Sequence, residues 1–193
     1  MTDLQPLLRG AADEFLRVAR GIGPAQLSAP TPCTEYDVRA LLNHLLYWGP
    51  WLEAAVRKEE TPSMEGGERA ADLVHDDWQA ALTTRVHGLL EAFASPGAFD
   101  GTAGGMPAEM VASMILMEWV VHGWDLASAT GQTLHCDDET AGVLLVAAKA
   151  MAEQGRAHGI FKDEVPVARD APALARVLAV TGRPPEWCVA NVT

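Results

Sequence analysis

Apolar residues recur along this chain at helical rather than strand spacing. Over residues 3–21, Leu4, Leu7, Leu8, Ala11, Phe15, Leu16 and Ala19 form one stripe, which predicts an amphipathic helix. GIGPAQLSAPTPCTEYD follows, with three prolines and two glycines, and reads as a loop. Asp37 suits the N-cap of a second helix reaching about residue 60, with Leu41, His44, Trp48 and Leu52 on its stripe. Pro50 inside that helix removes a backbone bond at a cost of ~3 kcal/mol, which predicts a kink or break near Gly49. TPSMEGGE is a connector, and a third helix is expected over 68–94. SPGAFDGTAGGMP, with four glycines and two prolines, reads as a floppy connector. Pro107 fits the first position of a fourth helix, 107–130, with Glu109 in its first turn and Gly131 as C-cap. A fifth helix covers 137–157. GIFKDEVPVARDAP is loop or a short strand, and APALARVLAVTG is a last helix.

These elements predict an all-α protein: an antiparallel four-helix bundle over 1–158, with a C-terminal extension, 159–193, packed on it. A chain of 193 residues buries ~70% of its unfolded surface, so it needs no disulfide or metal merely to fold. The formal net charge of −12 repels phosphate backbones and acidic lipid, so neither nucleic acid nor membrane is expected as a partner. No apolar run spans a bilayer, and the N-terminus lacks a basic-then-apolar leader, so a cytoplasmic location is expected. Cys33, Cys136 and Cys188 are widely spaced without a CxxC, as expected of reduced thiols.

Polar residues interrupt the core pattern at a few places. In the fourth helix Val111, Ile115, Glu118, His122, Asp125 and Ala129 share one stripe, flanked by Met114, Val121 and Leu126. Glu118 and His122 lie about one turn and roughly 40° apart, so their side chains reach one spot. His44 holds a core position in the second helix. A buried unpaired carboxylate costs several kcal/mol, yet residues 86–148 contain neither lysine nor arginine. Two solutions stay open. A cation comes from another helix (Arg9, Arg17, Arg20, Arg39 or Arg57), or His44, Glu118 and His122 bind a divalent metal. Two histidines and one carboxylate would leave a fourth position open, as in catalytic zinc sites. Asp125 suits a bond to His122 or to substrate, and Trp48 a pocket wall. Cys33, ahead of a helix, is a weak candidate for an activated thiol. His75 and His87 read as surface residues.

TPCTEYDVRALLNHLL (31–46) and EWVVHGWDLASATG (118–131) together resemble the metal-binding domain of mycothiol-dependent maleylpyruvate isomerases, within the wider DinB-like four-helix-bundle metalloproteins. The resemblance is closest to short relatives of unassigned chemistry. It implies that His44, Glu118 and His122 bind the metal. Zinc is expected first, with nickel or another divalent ion as substitutes. The maleylpyruvate isomerases are longer, with a C-terminal basic residue for their dicarboxylate substrate. Of Arg169, Arg176 and Arg183, none falls in a motif that matches.

The expected function is therefore a metal-dependent transferase or isomerase that uses a low-molecular-weight thiol of the mycothiol type on a small electrophile. A hydrolase using metal-bound hydroxide and a non-catalytic metal-binding or stress protein are the alternatives. A monomer and a homodimer are both compatible with the sequence.

Overall fold

The computed structural model describes residues 3–189. The first two and last four residues, including the end of the predicted extension, lie outside the described residues. Helix α1, Leu4–Arg20, is capped by Asp3, whose side chain accepts from the Gln5 N–H. Helix α2, Val38–Arg57, opens on Asp37, which accepts from the Ala40 N–H at 2.8 Å. The helix carries through Pro50, so the break expected near Gly49 does not occur. Helix α3 is Trp78–Phe93. Helix α4 runs as Ala108–Met117, a π turn Glu118–His122, and Gly123–Ala129. Helix α5, Asp138–Ala157, is capped by Asp137, and α6 is Ala173–Val180.

Among the described residues the regular structure is thus helical apart from an isolated bridge between Pro30 and Asp37 and a pairing of β1, Thr102–Ala103, with β2, Met106–Pro107. That hairpin lies in the glycine-rich connector before α4, not in the 159–172 segment where a short strand was considered. Its tip is ordered by packing: a Cβ on Gly104 would sit 2.7 Å from the Trp51 ring. The 159–172 segment folds back on α6 through a backbone bond from the Val165 N–H to the Ala179 carbonyl at 3.0 Å.

The third helix starts ten residues later than its periodicity suggested, because side chains of α2 capture the backbone before it. Asn43 donates to the Glu68 carbonyl and accepts from the Leu73 N–H, each at 2.7 Å. Arg39 donates to Asp72 and to the Val74 carbonyl. Residues 68–70 form a short 3₁₀ turn, 71–75 carry no regular structure, and a turn at 76–77 leads into the helix at Trp78. His75 precedes the helix, and both it and His87 are exposed.

The four long helices close a ring in which α1 touches α3 and α4, and α2 touches α3 and α4. Leu8, Phe15, Leu41, Leu42, Leu82, Ile115, Leu116 and Leu126 fill the space between them. Beside the site the fit is tight. A Cβ on Gly123 would lie 2.6 Å from Leu134 and 3.3 Å from Phe15, so glycine is what lets α4 approach α1 there. Helix α5 packs on α4, and α6 packs on α5. No helix among the described residues is long and apolar enough to cross a membrane.

Candidate functional site

The bundle brings His44 from α2 and Glu118 and His122 from α4 to one point. His44 Nε2 is 3.3 Å from Glu118 Oε2, and His122 Nε2 is 3.6 Å from the same oxygen. The two imidazoles stand edge to face, with centroids 5.4 Å apart. Both N···O distances exceed the 2.7–2.9 Å of a charge-assisted hydrogen bond. The first matches, and the second slightly exceeds, the edge of about 3.3–3.4 Å that zinc bonds of about 2.0–2.1 Å give a tetrahedron. The donor atoms of all three residues lie within 4.8 Å of one another. The π turn spans Glu118–His122 itself, and such bulges recur at functional sites.

Each histidine is oriented by a second carboxylate. His44 Nδ1 lies 2.6 Å from Glu68 Oε2, and His122 Nδ1 lies 2.9 Å from Asp125 Oδ2. An ionised carboxylate only accepts, so each Nδ1 carries a hydrogen, and it is the Nε2 of each ring that is left to face Glu118. Glu68 also accepts from the Tyr36 hydroxyl at 2.5 Å and the Trp48 indole at 2.8 Å. The TPCTEYD loop sets Tyr36 in place, because Thr31 Oγ donates to the Cys33 and Tyr36 carbonyls.

Asp125 is fully buried and is held from its other side by Arg183, at 3.0 Å to Oδ2 and 3.3 Å to Oδ1. Arg183 owes its place to the end of α6. Gly182, at φ +84°, donates to the Ala179 carbonyl, and the Arg183 N–H reaches back to the Leu178 carbonyl at 2.8 Å. That Schellman turn folds the guanidinium back onto the bundle. The sequence reading found no role for Arg183, and it placed Glu68 inside a helix. The only trace of the former is TGR at a helix end.

None of the five arginines proposed to neutralise Glu118 does so. Arg17 pairs with Glu14, Arg39 with Asp72 and Arg57 with Glu53. Arg9 and Arg20 are exposed. Glu118 is instead surrounded by histidines. Burial would raise its pKa, but His122, His44 and Arg183 outweigh it and hold it at about 2. Burial would likewise lower His44, but Glu118 and Glu68 prevail and hold it up at about 9. Asp125 is held below the usual carboxylate range, with burial overcome by Arg183 and His122. Three carboxylates, Glu68, Glu118 and Asp125, are met in the metal-free protein by Arg183 and by the proton that His44 holds, so a divalent cation would have to displace that proton.

Cys33 also lies within 4.8 Å of His122 and Asp125, counted between ligand-type atoms. Burial pushes its thiol up to about 11, so it is not an activated nucleophile. Trp48, the expected wall residue, lines a cavity with His44 and Glu118. Trp119 is buried in the core, and Trp124 is half-buried against it. His135 is exposed, and its backbone N–H donates to Glu14.

Residues 8–127 match the family described as mycothiol maleylpyruvate isomerase N-terminal domain. The matched span holds the three convergent residues and Asp125 but ends before Arg183. Two relatives from Mycobacterium tuberculosis, uncharacterized proteins MT0763 (strain CDC 1551 / Oshkosh) and Rv0738 (strain ATCC 25618 / H37Rv), are each 32% identical over 192 residues. Those alignments cover 93% of this chain and 98% of each relative. No solved structure matches the chain. With 120 of its residues inside that span, the chain belongs to the mycothiol maleylpyruvate isomerase N-terminal domain family.

Proposed function

We propose that this protein binds a divalent metal, with zinc the best fit, through His44, Glu118 and His122. There it handles a small thiol of the mycothiol type, in S-transfer to a small electrophile or in its isomerisation. One observation carries the reading: two Nε2 atoms, each fixed by a carboxylate on its Nδ1, converge on a single oxygen of Glu118. When bound, the metal supplies a local positive charge that lowers the pKa of a thiol at its open position.

The chain's own groups have distinct tasks in this scheme. Glu68 and Asp125 fix the tautomers of the two histidines, and Arg183 keeps Asp125 ionised inside the protein. Trp48 and Tyr36 close the outer side of His44. Burial pushes the Cys33 thiol up to about 11, which fits a nucleophile brought by a cosubstrate, and mycothiol in the family's name is consistent with that. Free cysteines at Cys33, Cys136 and Cys188 accord with a reducing, cytoplasmic setting.

The test is zinc content and zinc titration of the wild type and of Glu118→Gln, with far-ultraviolet circular dichroism of both. Stoichiometric zinc in the wild type, and a large loss of affinity with unchanged helicity in the variant, are expected. Equal affinity would remove Glu118 as a ligand. Cobalt-substituted protein titrated with a small thiol should then gain a sulfur-to-cobalt charge-transfer band. No spectral change at saturating thiol would overturn the thiol reading and leave the metal site standing.

A further inference from the structure

Five of the chain's seven methionines, Met106, Met110, Met114, Met117 and Met151, line one cavity of about 310 Å³ that also reaches Glu118. Met110, Met114 and Met117 follow one side of α4 at steps of four and three. Met106 comes from β2, and Met151 from α5. A second cavity, about 480 Å³, shares Met114, Glu118 and Ile160 with the first and is walled by Trp48 and Trp51. Both volumes lie in the ~300–1,000 Å³ range of small-molecule sites. Ile160 lines both cavities and stays 67% exposed, leaving apolar surface at the rim for a ligand to cover.

The charge of these walls decides what fits. Neither cavity has a lysine or arginine in its lining, and each contains the Glu118 carboxylate. The nearby cations line an adjoining space of about 250 Å³, which shares Met117, Glu118, Ile160 and Phe161 with the methionine cavity, and both are already engaged, Arg183 by Asp125 and Lys162 by Glu35. Away from Glu118 the methionine cavity presents thioethers, Ile160 and Phe161, with Gln154 and His158 as its other polar side chains, so a carboxylate on the body of a ligand would be desolvated there with no lysine or arginine to meet it. Thioether side chains are flexible and polarisable, and they adapt to apolar shapes.

We propose that the electrophile taken by this site has an uncharged, apolar body, seated among these methionines with its reactive end toward Glu118. The substrate class rests on the metal-site reading above, and the pocket itself can be tested separately. The full chain is labelled with [methyl-¹³C]methionine and titrated, in the presence of zinc, with 1-octanol and separately with maleate. Octanol should move the five pocket methyl resonances saturably and leave Met64 in place, while maleate moves none. Octanol reaching its solubility limit without moving them, or maleate moving the same five at comparable concentration, would overturn the proposal. Met110→Lys should weaken octanol binding at least tenfold while zinc uptake stays at the wild-type level, and unchanged octanol binding would count against it. Zinc measured on the same samples separates the two readings. Stoichiometric zinc with silent methionines defeats the substrate class alone, and responsive methionines without zinc defeat the metal site alone.

Discussion

His44 and His122 present the same nitrogen to the same oxygen of Glu118, but they are held there differently. His122 leans on Asp125, three residues along its own helix, fully buried and neutralised by Arg183. His44 leans on Glu68, a residue of a short 3₁₀ turn between α2 and α3, with 17% of its side chain exposed. Glu68 has three donors around it, His44, Tyr36 and Trp48, and none is a permanent cation. One histidine is thus anchored by a buried ion pair that the fold depends on. The other is anchored by a hydrogen-bonded cluster near the surface, which can be altered without disturbing the core. The contrast separates residues that hold the protein together from residues that tune the site.

The largest expected effect tests that separation through stability. Arg183→Met strands the buried Asp125 carboxylate, a defect that typically costs about 3–5 kcal/mol. Glu68→Gln keeps an acceptor oxygen in a partly exposed setting and should cost about 1–2 kcal/mol. Urea unfolding of the metal-free proteins measures both. Adding Asp125→Asn to Arg183→Met should recover most of the loss, because the stranded charge is then gone. If Arg183→Met is no worse than Glu68→Gln, the proposed asymmetry is wrong.

The same contrast explains how much could be read in advance. His44, Glu118, His122 and Asp125 are on helices, where side-chain direction follows from spacing of three or four, so their convergence was legible from the stripes on α2 and α4. The cap at Asp37 and the C-terminal Gly131, at φ +70°, were legible for the same local reason. Glu68 and Arg183 were not, because long-range contacts place them. Glu68 sits on a segment whose helical pattern is overridden by Asn43, 25 residues earlier. Arg183 meets Asp125 across 58 residues of chain. The π turn was also missed, since EWVVH fits a plain α-helix equally well. The break expected at Pro50 failed because propensity is a local cost, and here the packed helix absorbs it.

Metal affinity should follow the supports less steeply than stability does. Removing the carboxylate behind a ligating histidine usually costs 10–100-fold in affinity. Asp125→Asn and Glu68→Gln should both fall in that range by competition with a chromophoric chelator. Asp125→Asn should also lower the unfolding midpoint, because it leaves Arg183 buried without its partner. Glu68→Gln should change affinity with only the smaller stability loss of about 1–2 kcal/mol. Equal stability losses in the two variants would erase the distinction between anchor and tuner.

The smallest effect is a single proton. His44, held up at about 9 in the metal-free protein, is protonated at pH 7.5 and must lose that proton to offer Nε2 to a metal. Zinc binding at pH 7.5 should therefore release about one proton from His44, and this release should decline as the pH passes about 9. Calorimetric titrations in two buffers of different ionisation enthalpy measure it directly. The sign carries over to stability. The contribution of His44 to the metal-free fold is complete below its ordinary 6.5 and is lost as the pH rises through about 9. Glu118 acts in the opposite range, its contribution present above its ordinary 4.5 and lost as the pH falls through about 2. Glu68→Gln removes one of the two carboxylates that stabilise the His44 proton, so less of it is present at pH 7.5 to be released. A release unchanged by that substitution would show that Glu118 alone sets the charge of His44, and Glu68 would then act on its orientation only.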